Sequence, residues 1–320
     1  MLLSNEIIAI QPKTLNRKGK HLFWAAAPDK FLLQSLRDFG QTMPVLAEET
    51  DKGMSLVTGH ARVAALSEQG TPVLARMVRG ADPISRGLLY LADNAQRPLD
   101  DGMRLDAMLY FSEWMDSKRL SAEILPRLGV RPGSKDAKAL FTWLGMPEAW
   151  RVHLKAGRVP LASSTILARL KQDELDALEP FFLQLSWSRS NGVNFLTWIY
   201  EGARMHDCGI AQALEQAELP GMLTLGLSPK DTIARLSASA RAYRFPDLTE
   251  LQSRFTTLSR ELSAGTVWRV GQADNFETGG VEISARIKND GQLAKALSDL
   301  GIISESPLWE RLFALGRSDD

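Results

Sequence analysis

The chain has 320 residues, with 38 basic and 38 acidic side chains and 44% hydrophobic residues. This length suits two or three domains with buried cores, and the composition excludes a wholly disordered chain. No run of about 18 apolar residues occurs, which excludes a membrane-spanning segment, and the first residues lack the pattern of a secretory signal. The single cysteine, Cys208, excludes an intramolecular disulfide and a cysteine-rich zinc site. We therefore expect a cytoplasmic protein.

The first hundred residues alternate strand and helix patterns, which predicts an α/β domain over residues 1–98. Helices are predicted where apolar residues recur at helical spacing, and strands where short apolar runs lie between turns. In chain order these are a strand at 6–10, a helix at 28–39, strands at 44–48 and 54–58, a helix at 62–69, a strand at 72–78 and a helix at 82–97.

Strand patterns are absent from about residue 100 to 245, which predicts an all-helical region. It begins with helices at 102–115, 121–128 and 134–144. A polar stretch at 186–192 predicts a boundary between a helical domain over 99–188 and a helical connector over 189–245. The remaining domain, 246–320, is predicted as helix, two-stranded hairpin and helix, at 246–262, 266–270, 281–287 and 292–300. The predicted fold class is thus mostly α with an α/β N-terminal domain.

Basic residues are concentrated in one part of the helical region. Residues 117–172 contain eleven basic and three acidic side chains, a net charge of +8 that the rest of the chain balances. An excess of this size in a neutral chain favours a surface that binds a polyanion, and a solvated helical surface is the alternative.

Three short segments of the first domain carry side chains suited to anions and metals. Gly59 allows close backbone approach at the end of a strand, and Arg62 follows in the first helical turn, where a bound anion would offset its conflict with the helix dipole. Farther along, Asp93 and Asn94 supply hard oxygens for Mg²⁺, and Arg97 can bind phosphate. The three segments are residues 40–45, 58–66 and 93–97.

The order and spacing of these segments resemble the N-terminal domain of the ParB-like partition proteins, which have the ParB/sulfiredoxin-like fold. The resemblance implies a dimeric clamp that depends on CTP and Mg²⁺, loads onto double-stranded DNA and serves chromosome or plasmid partition. It implies Mg²⁺ ligation by Asp93 and Asn94. It also implies a nucleotide pocket formed by Gly40, Gln41, Pro44, Gly59, His60, Ala61, Arg62, Asn94, Gln96 and Arg97.

Three positions depart from the pattern of that family. His60 replaces a glutamate, Ala61 replaces the first of two arginines, and Asp93 replaces a longer glutamate. Losing one guanidinium removes a charge-assisted hydrogen bond of about 1.5–3 kcal/mol. Two alternatives therefore stay open, a DNA-binding protein or regulator with a nucleotide-free pocket, and a small-molecule kinase-like enzyme on the same fold. Weak CTP hydrolysis is also left open.

The resemblance extends to a helix-turn-helix after the pocket domain. Residues 120–130 resemble its first helix and turn, and Pro126 is expected to kink or shorten that helix. The start of the second helix is predicted to contact DNA through Arg131, Ser134, Lys135 and Lys138.

The C-terminal domain of the family is also a helix, a hairpin and a helix, which implies homodimerisation through 246–320. A partition ATPase as partner and association with the nucleoid follow from the same resemblance.

Overall fold

The structure, a computed structural model, describes residues 2–273, 276 and 280–315. It contains two compact units, Met1–Leu196 and Thr197–Asp320. The first unit contains a four-stranded sheet in the order β1-β4-β2-β3, in which β2 and β4 are parallel and the other pairs are antiparallel. The protein is therefore mixed α/β, as predicted. The strands are β1 (Leu2–Ile10), β2 (Val45–Thr50), β3 (Gly53–Thr58) and β4 (Val73–Arg79).

Alternation of apolar side chains positions this sheet. Val73 and Ala75 of β4 are completely buried, whereas Leu74 between them is exposed. Val45 and Ala47 of the neighbouring β2 are also completely buried. Three helices accompany the sheet, namely α1 (Lys30–Phe39), α2 (His60–Gln69) and α3 (Pro83–Asp93).

The ends of these helices differ from the predicted ends where capping decides the boundary. The side chain of Asp29 accepts a hydrogen bond from the backbone N–H of Leu32, so α1 begins at Lys30 rather than at residue 28. The helix predicted to reach residue 97 ends at Asp93, and residues 94–97 form a turn. Pro98 disfavours the helical conformation of Arg97, so the helix does not extend to that residue.

The rest of the first unit is helical. Its helices include α4 (Asp101–Ser112), α5 (Ser117–Arg119), α6 (Lys135–Leu144), α7 (Glu148–Lys155), α8 (Ser164–Leu167) and α9 (Gln172–Leu178). After α5 the chain continues through a π-helical turn, Leu120–Ile124, into a 3₁₀ turn, Leu125–Leu128. The helix predicted from residue 121 thus begins earlier, because Asp116 caps it through the N–H of Arg119. The predicted disturbance at Pro126 is observed as this change of helix type.

Aromatic side chains fill the core of this helical region. Phe111, Trp143 and Phe182 are completely buried, and the indole N–H of Trp143 donates to the carbonyl of Leu161 at 2.8 Å. Trp114 is an exception because 47% of it is exposed.

Within the second unit, the described residues from 246 onward follow the predicted order of helix, hairpin and helix. Helix α10 (Arg189–Met205) crosses the division between the units, and α11 (Ile210–Gln216), α12 (Leu219–Met222) and α13 (Pro229–Arg244) follow it. The C-terminal part comprises α14 (Pro246–Leu262), β5 (Trp268–Gln272), β6 (Val281–Ala285), α15 (Asp290–Ser304) and α16 (Leu308–Phe313). Its buried core contains Phe255, Leu258, Leu262, Val270, Ile303 and Leu312. Residues 316–320 of the predicted C-terminal domain lie outside the described residues.

Within the described residues, none of the helices has both the length and the apolar character needed to cross a membrane.

Candidate functional sites

The guanidinium of Arg62 joins the three segments singled out in the sequence. Its Nη1 donates to the carbonyls of Met43 and Pro44, both at 3.1 Å, and its Nη2 lies 2.9 Å from Oδ2 of Asp93. The side chains of Arg62 and Asp93 are only 18% and 19% exposed. Asp93 is exposed as a residue because its main chain lies at the open end of α3. One cation thus connects the residues before β2, the start of α2 and the end of α3.

Gly59 is required at the start of α2 for two reasons. Its φ of +91° lies in the left-handed region that side chains disfavour. A Cβ at this position would also lie 2.5 Å from Cγ1 of Val45 and 3.4 Å from Cζ of Arg62. The close backbone approach predicted from the sequence is therefore an approach to β2 and to the guanidinium.

A cleft of about 170 Å³ lies beside Arg62. The predicted site residues that line it are Gly59, His60, Ala61, Arg62, Asp93, Asn94 and Arg97. Those that do not are Gly40, Gln41, Pro44 and Gln96. Sequence reasoning missed Trp24, Ala25, Ala26, Leu32 and Tyr90, which complete the lining. The first three lie in a loop without periodicity, so no local pattern marked them.

Gln41 has a different environment from the one predicted. Its side-chain N–H groups donate to the carbonyls of Leu74, at 2.7 Å, and Met43, and its Oε1 accepts from the N–H of Leu74. The amide therefore completes the hydrogen bonding of β4 beside the start of β2. Pro44 contributes only its carbonyl, which Arg62 binds, and Gly40 serves as the left-handed end of α1.

The other polar side chains of the cleft bind its loop. His60 Nδ1 lies 3.3 Å from the carbonyl of Ala26, and Nη1 of Arg97 donates to the carbonyl of Trp24 at 2.9 Å. Burial raises the pKa of Tyr90 to about 12, so its phenol stays protonated at neutral pH. The cleft can therefore offer an anion the remaining N–H groups of Arg97.

The predicted Mg²⁺ ligands do not fit a metal ion in this arrangement. The carboxylate of Asp93 is bound by Arg62, and a cation next to that guanidinium would be repelled. The side-chain N–H of Asn94 donates to the carbonyl of Tyr90. The amide oxygen is then the one atom of this side chain that is left to bind a metal ion. Across the part of the chain that the structure describes, no group of three or more metal-ligating side chains occurs. Mg²⁺ binding stays a prediction.

The residues predicted to contact DNA lie at the start of α6 and in the loop before it. Arg131, Lys135 and Lys138 are exposed, and in the described ranges none of the three is in an ion pair. We call these three residues the basic surface. Ser134 has a separate task, because its Oγ accepts from the N–H of Ala137 and caps α6. Residues 129–134 separate α6 from the preceding turn, so the connection is longer than the three or four residues of a standard helix-turn-helix.

The second unit exposes apolar side chains on its hairpin and on α15. Ile283 of β6 is 38% exposed, and Leu297 and Ile302 of α15 are 59% and 70% exposed. The hairpin has only two strands, a number that is marginally stable alone in water.

Comparison with known proteins gives matches among solved structures only. No family model matches the chain, and no curated protein does either. The chain is similar to the C-terminally truncated chromosome-partitioning protein ParB from Caulobacter crescentus complexed to the centromeric parS site, with 16% identity, a TM-score of 0.35, and coverage of 71% of this chain and 97% of that one.

Two further structures are similar. The same truncated ParB complexed with CTP-gamma-S matches with 17% identity and a TM-score of 0.26, over 56% of this chain and 100% of that one. A Pnob8-like ParB-N domain matches with 13% identity and a TM-score of 0.33, over 79% and 98%. All three carry the name of the family that the sequence motifs resemble. Because every TM-score is below 0.5, the functional proposals rest on residues of this chain.

Proposed function

We propose that the protein is a ParB-like partition protein that binds double-stranded DNA as a homodimer and binds CTP in the cleft beside Arg62. The observation that carries the proposal is the convergence of the three segments on the guanidinium of Arg62, beside a cleft that the second and third segments line. The order and spacing of these segments resemble a nucleotide pocket, and the residues that meet at Arg62 are 18 to 31 positions from it in the chain. The resemblance also supplies the choice of CTP and of a partition ATPase as a further partner.

The volume of the cleft limits how much of a nucleotide it can hold. Typical ligand pockets have about 300–1,000 Å³, whereas this cleft has about 170 Å³. In the proposal the phosphate groups occupy the cleft, next to Arg97, and the rest of the nucleotide lies outside it.

One observation favours the alternative of a DNA-binding protein with a nucleotide-free pocket. Arg62 already donates to Asp93 and to two carbonyls, so a phosphate would have to compete with these partners. Such competition costs affinity, since an ion pair with little exposure is lost when the phosphate binds.

A thermal-shift comparison of CTP, ATP, GTP and UTP decides between these two functions, because a ligand that binds the native state raises the melting temperature by mass action. We expect CTP to raise it most, and Arg97→Ala to reduce the shift. Arg79→Ala, a change at an exposed arginine outside the cleft, serves as the control and should keep the full shift. No shift with any nucleotide would exclude the proposed nucleotide function and favour the nucleotide-free alternative.

The proposed dimer is tested by light scattering on the full chain. We expect the mass of two chains, and we expect Ile283→Glu with Leu297→Glu to give the mass of one, because charges replace exposed apolar side chains at the proposed interface. The control pair is Phe39→Glu with Met43→Glu, which changes exposed apolar residues of the first unit. A parent chain with the mass of one would contradict the proposed homodimer.

A further inference from the structure

The first unit contains a second cleft that shares no lining residue with the cleft beside Arg62. It has a volume of about 500 Å³, within the range of small-molecule sites. The loop at 16–21, the turn between β2 and β3, and the beginning of α3 and end of α4 surround it. None of the three sequence segments near Arg62, and none of the residues predicted to contact DNA, lines this cleft.

The floor of this second cleft holds a carboxylate with an open oxygen. The side chain of Glu48 is 8% exposed, and its Oε1 accepts from Nε of Arg86 at 2.6 Å. Within the described ranges, no hydrogen bond is formed by Oε2 of Glu48. An almost buried carboxylate oxygen beside a cavity is a strong acceptor for a ligand that brings N–H or O–H donors.

His21 provides a second acceptor on the same floor. Its Nε2 lies 3.0 Å from the carbonyl of Leu56, and a carbonyl only accepts, so Nε2 carries the proton. Burial lowers the pKa of His21, which keeps the ring neutral at pH 7 and leaves Nδ1 as an unprotonated acceptor. Nδ1 has no hydrogen-bond partner among the residues that the structure describes.

The wall and the rim supply an aromatic face and positive charge. Trp114 lines the cleft and is 47% exposed, unlike the buried tryptophans of the helical core. Four cations and two carboxylates line the cleft, a net charge of +2 with His21 neutral. Lys20 is paired with Glu113 at 2.8 Å, which leaves Lys18 and Lys52 as the rim cations without an ion pair in the described part of the chain.

We propose that this second cleft binds a nucleoside monophosphate. Its base would stack on Trp114 and donate hydrogen bonds to Glu48 and His21, and its phosphate would lie between Lys18 and Lys52. A phosphate monoester carries about −1.5 to −2 charges at pH 7, and the two rim lysines supply positive charge opposite to it. Aromatic stacking and charge-assisted hydrogen bonds are together the contacts that recognise such a ligand. The site is independent of the function proposed for the Arg62 cleft.

The test is calorimetric titration of the full chain with AMP, GMP, CMP and UMP, beside the four nucleosides and inorganic phosphate. We expect at least one monophosphate to bind at least ten times more tightly than its nucleoside and than phosphate. Trp114→Ala and Lys52→Ala, both at exposed positions, should each weaken binding about tenfold. Glu48→Gln should also weaken it, because it replaces one acceptor oxygen by a donor.

Two control variants separate this site from its surroundings. Lys13→Ala changes an exposed lysine that precedes the same loop but does not line the cleft, and it should leave the affinity unchanged. Arg97→Ala changes the other cleft and should also leave it unchanged.

Three results would overturn the proposal. They are no binding by any monophosphate at millimolar concentration, binding of inorganic phosphate as tight as that of every monophosphate, and binding that Arg97→Ala weakens while Trp114→Ala does not. The last result would assign the ligand to the Arg62 cleft, so failure here and failure of the proposed CTP site remain distinguishable.

Discussion

The cleft beside Arg62 and the basic surface on α6 use positive charge in opposite ways. Arg62 is mostly buried and directs its N–H groups to two carbonyls and Asp93, whereas Lys135 and Lys138 are exposed and form no ion pair in the described part of the chain. A guanidinium with protein partners stabilises the fold, and an anion binds it only by displacing them. An unpaired lysine loses little when it meets a phosphate. The sequence patterns predicted that both groups bind anions. The two roles are separated only by the hydrogen-bond and ion-pair partners of these side chains in the structure.

The largest expected effect tests the structural role of the residues around Arg62. Gly59→Ala should lower the free energy of unfolding by about 3 kcal/mol, because the new Cβ would clash with Val45 and the backbone conformation would be strained. Urea unfolding measures the loss. Gly53→Ala is the matched control, since Gly53 has a φ of +100° but nothing within 4 Å of the added Cβ. It should lose only the cost of the backbone, about 1–2 kcal/mol. Equal losses in both variants would contradict the close approach of Gly59 to β2.

The second prediction concerns the ion pair of the Arg62 cleft. Arg62→Ala should lower the free energy of unfolding by about 2 kcal/mol, since it leaves the mostly buried Asp93 carboxylate and two carbonyls without their donor. Lys20→Ala removes an exposed pair, with Lys20 74% exposed, and should have no measurable effect. If Arg62→Ala unfolds at the same urea concentration as the parent, Arg62 has no structural role and the comparison with the basic surface fails.

Substitutions in the basic surface should weaken DNA binding and leave the free energy of unfolding unchanged. Lys135→Glu with Lys138→Glu should weaken binding to duplex DNA about 10- to 100-fold and reduce the slope of log affinity against log salt by about 2, because two phosphate contacts are lost. Fluorescence anisotropy at several salt concentrations measures both quantities. Lys13→Glu with Lys230→Glu makes the same change of net charge at exposed positions elsewhere. If that control loses as much affinity, net charge and not the basic surface explains the binding.

The sequence predicted the elements well where the signals are local. Short apolar runs between turns marked the strands, Gly59 and helical spacing marked α2, and the basic excess marked the region of α6. Boundaries were less accurate where one side chain decides them, as Asp29 does for α1 and Asp116 for the helix after α4.

The partners of the site residues could not be predicted in the same way. Gln41 binds Leu74, and Arg86 binds Glu48, at separations of more than 30 residues. Such contacts depend on how strands and helices pack together, and they leave no periodicity in the local sequence. Nothing in the local sequence indicated that Arg62 and Asp93, which were both predicted to bind ligands, are paired with each other.

The smallest expected effect separates a capping residue from a DNA contact at one position. Ser134 caps α6, so Ser134→Ala should lower the free energy of unfolding by about 1 kcal/mol while the salt slope of DNA binding stays unchanged. Ser134→Asp keeps a capping oxygen and should retain the stability of the parent. It also places a negative charge beside Lys135 and Lys138, so it should weaken DNA binding several-fold where alanine does not. Should alanine weaken DNA binding as much as aspartate, the hydroxyl itself contacts DNA, and Ser134 would belong with the basic surface rather than with the residues that only hold the fold.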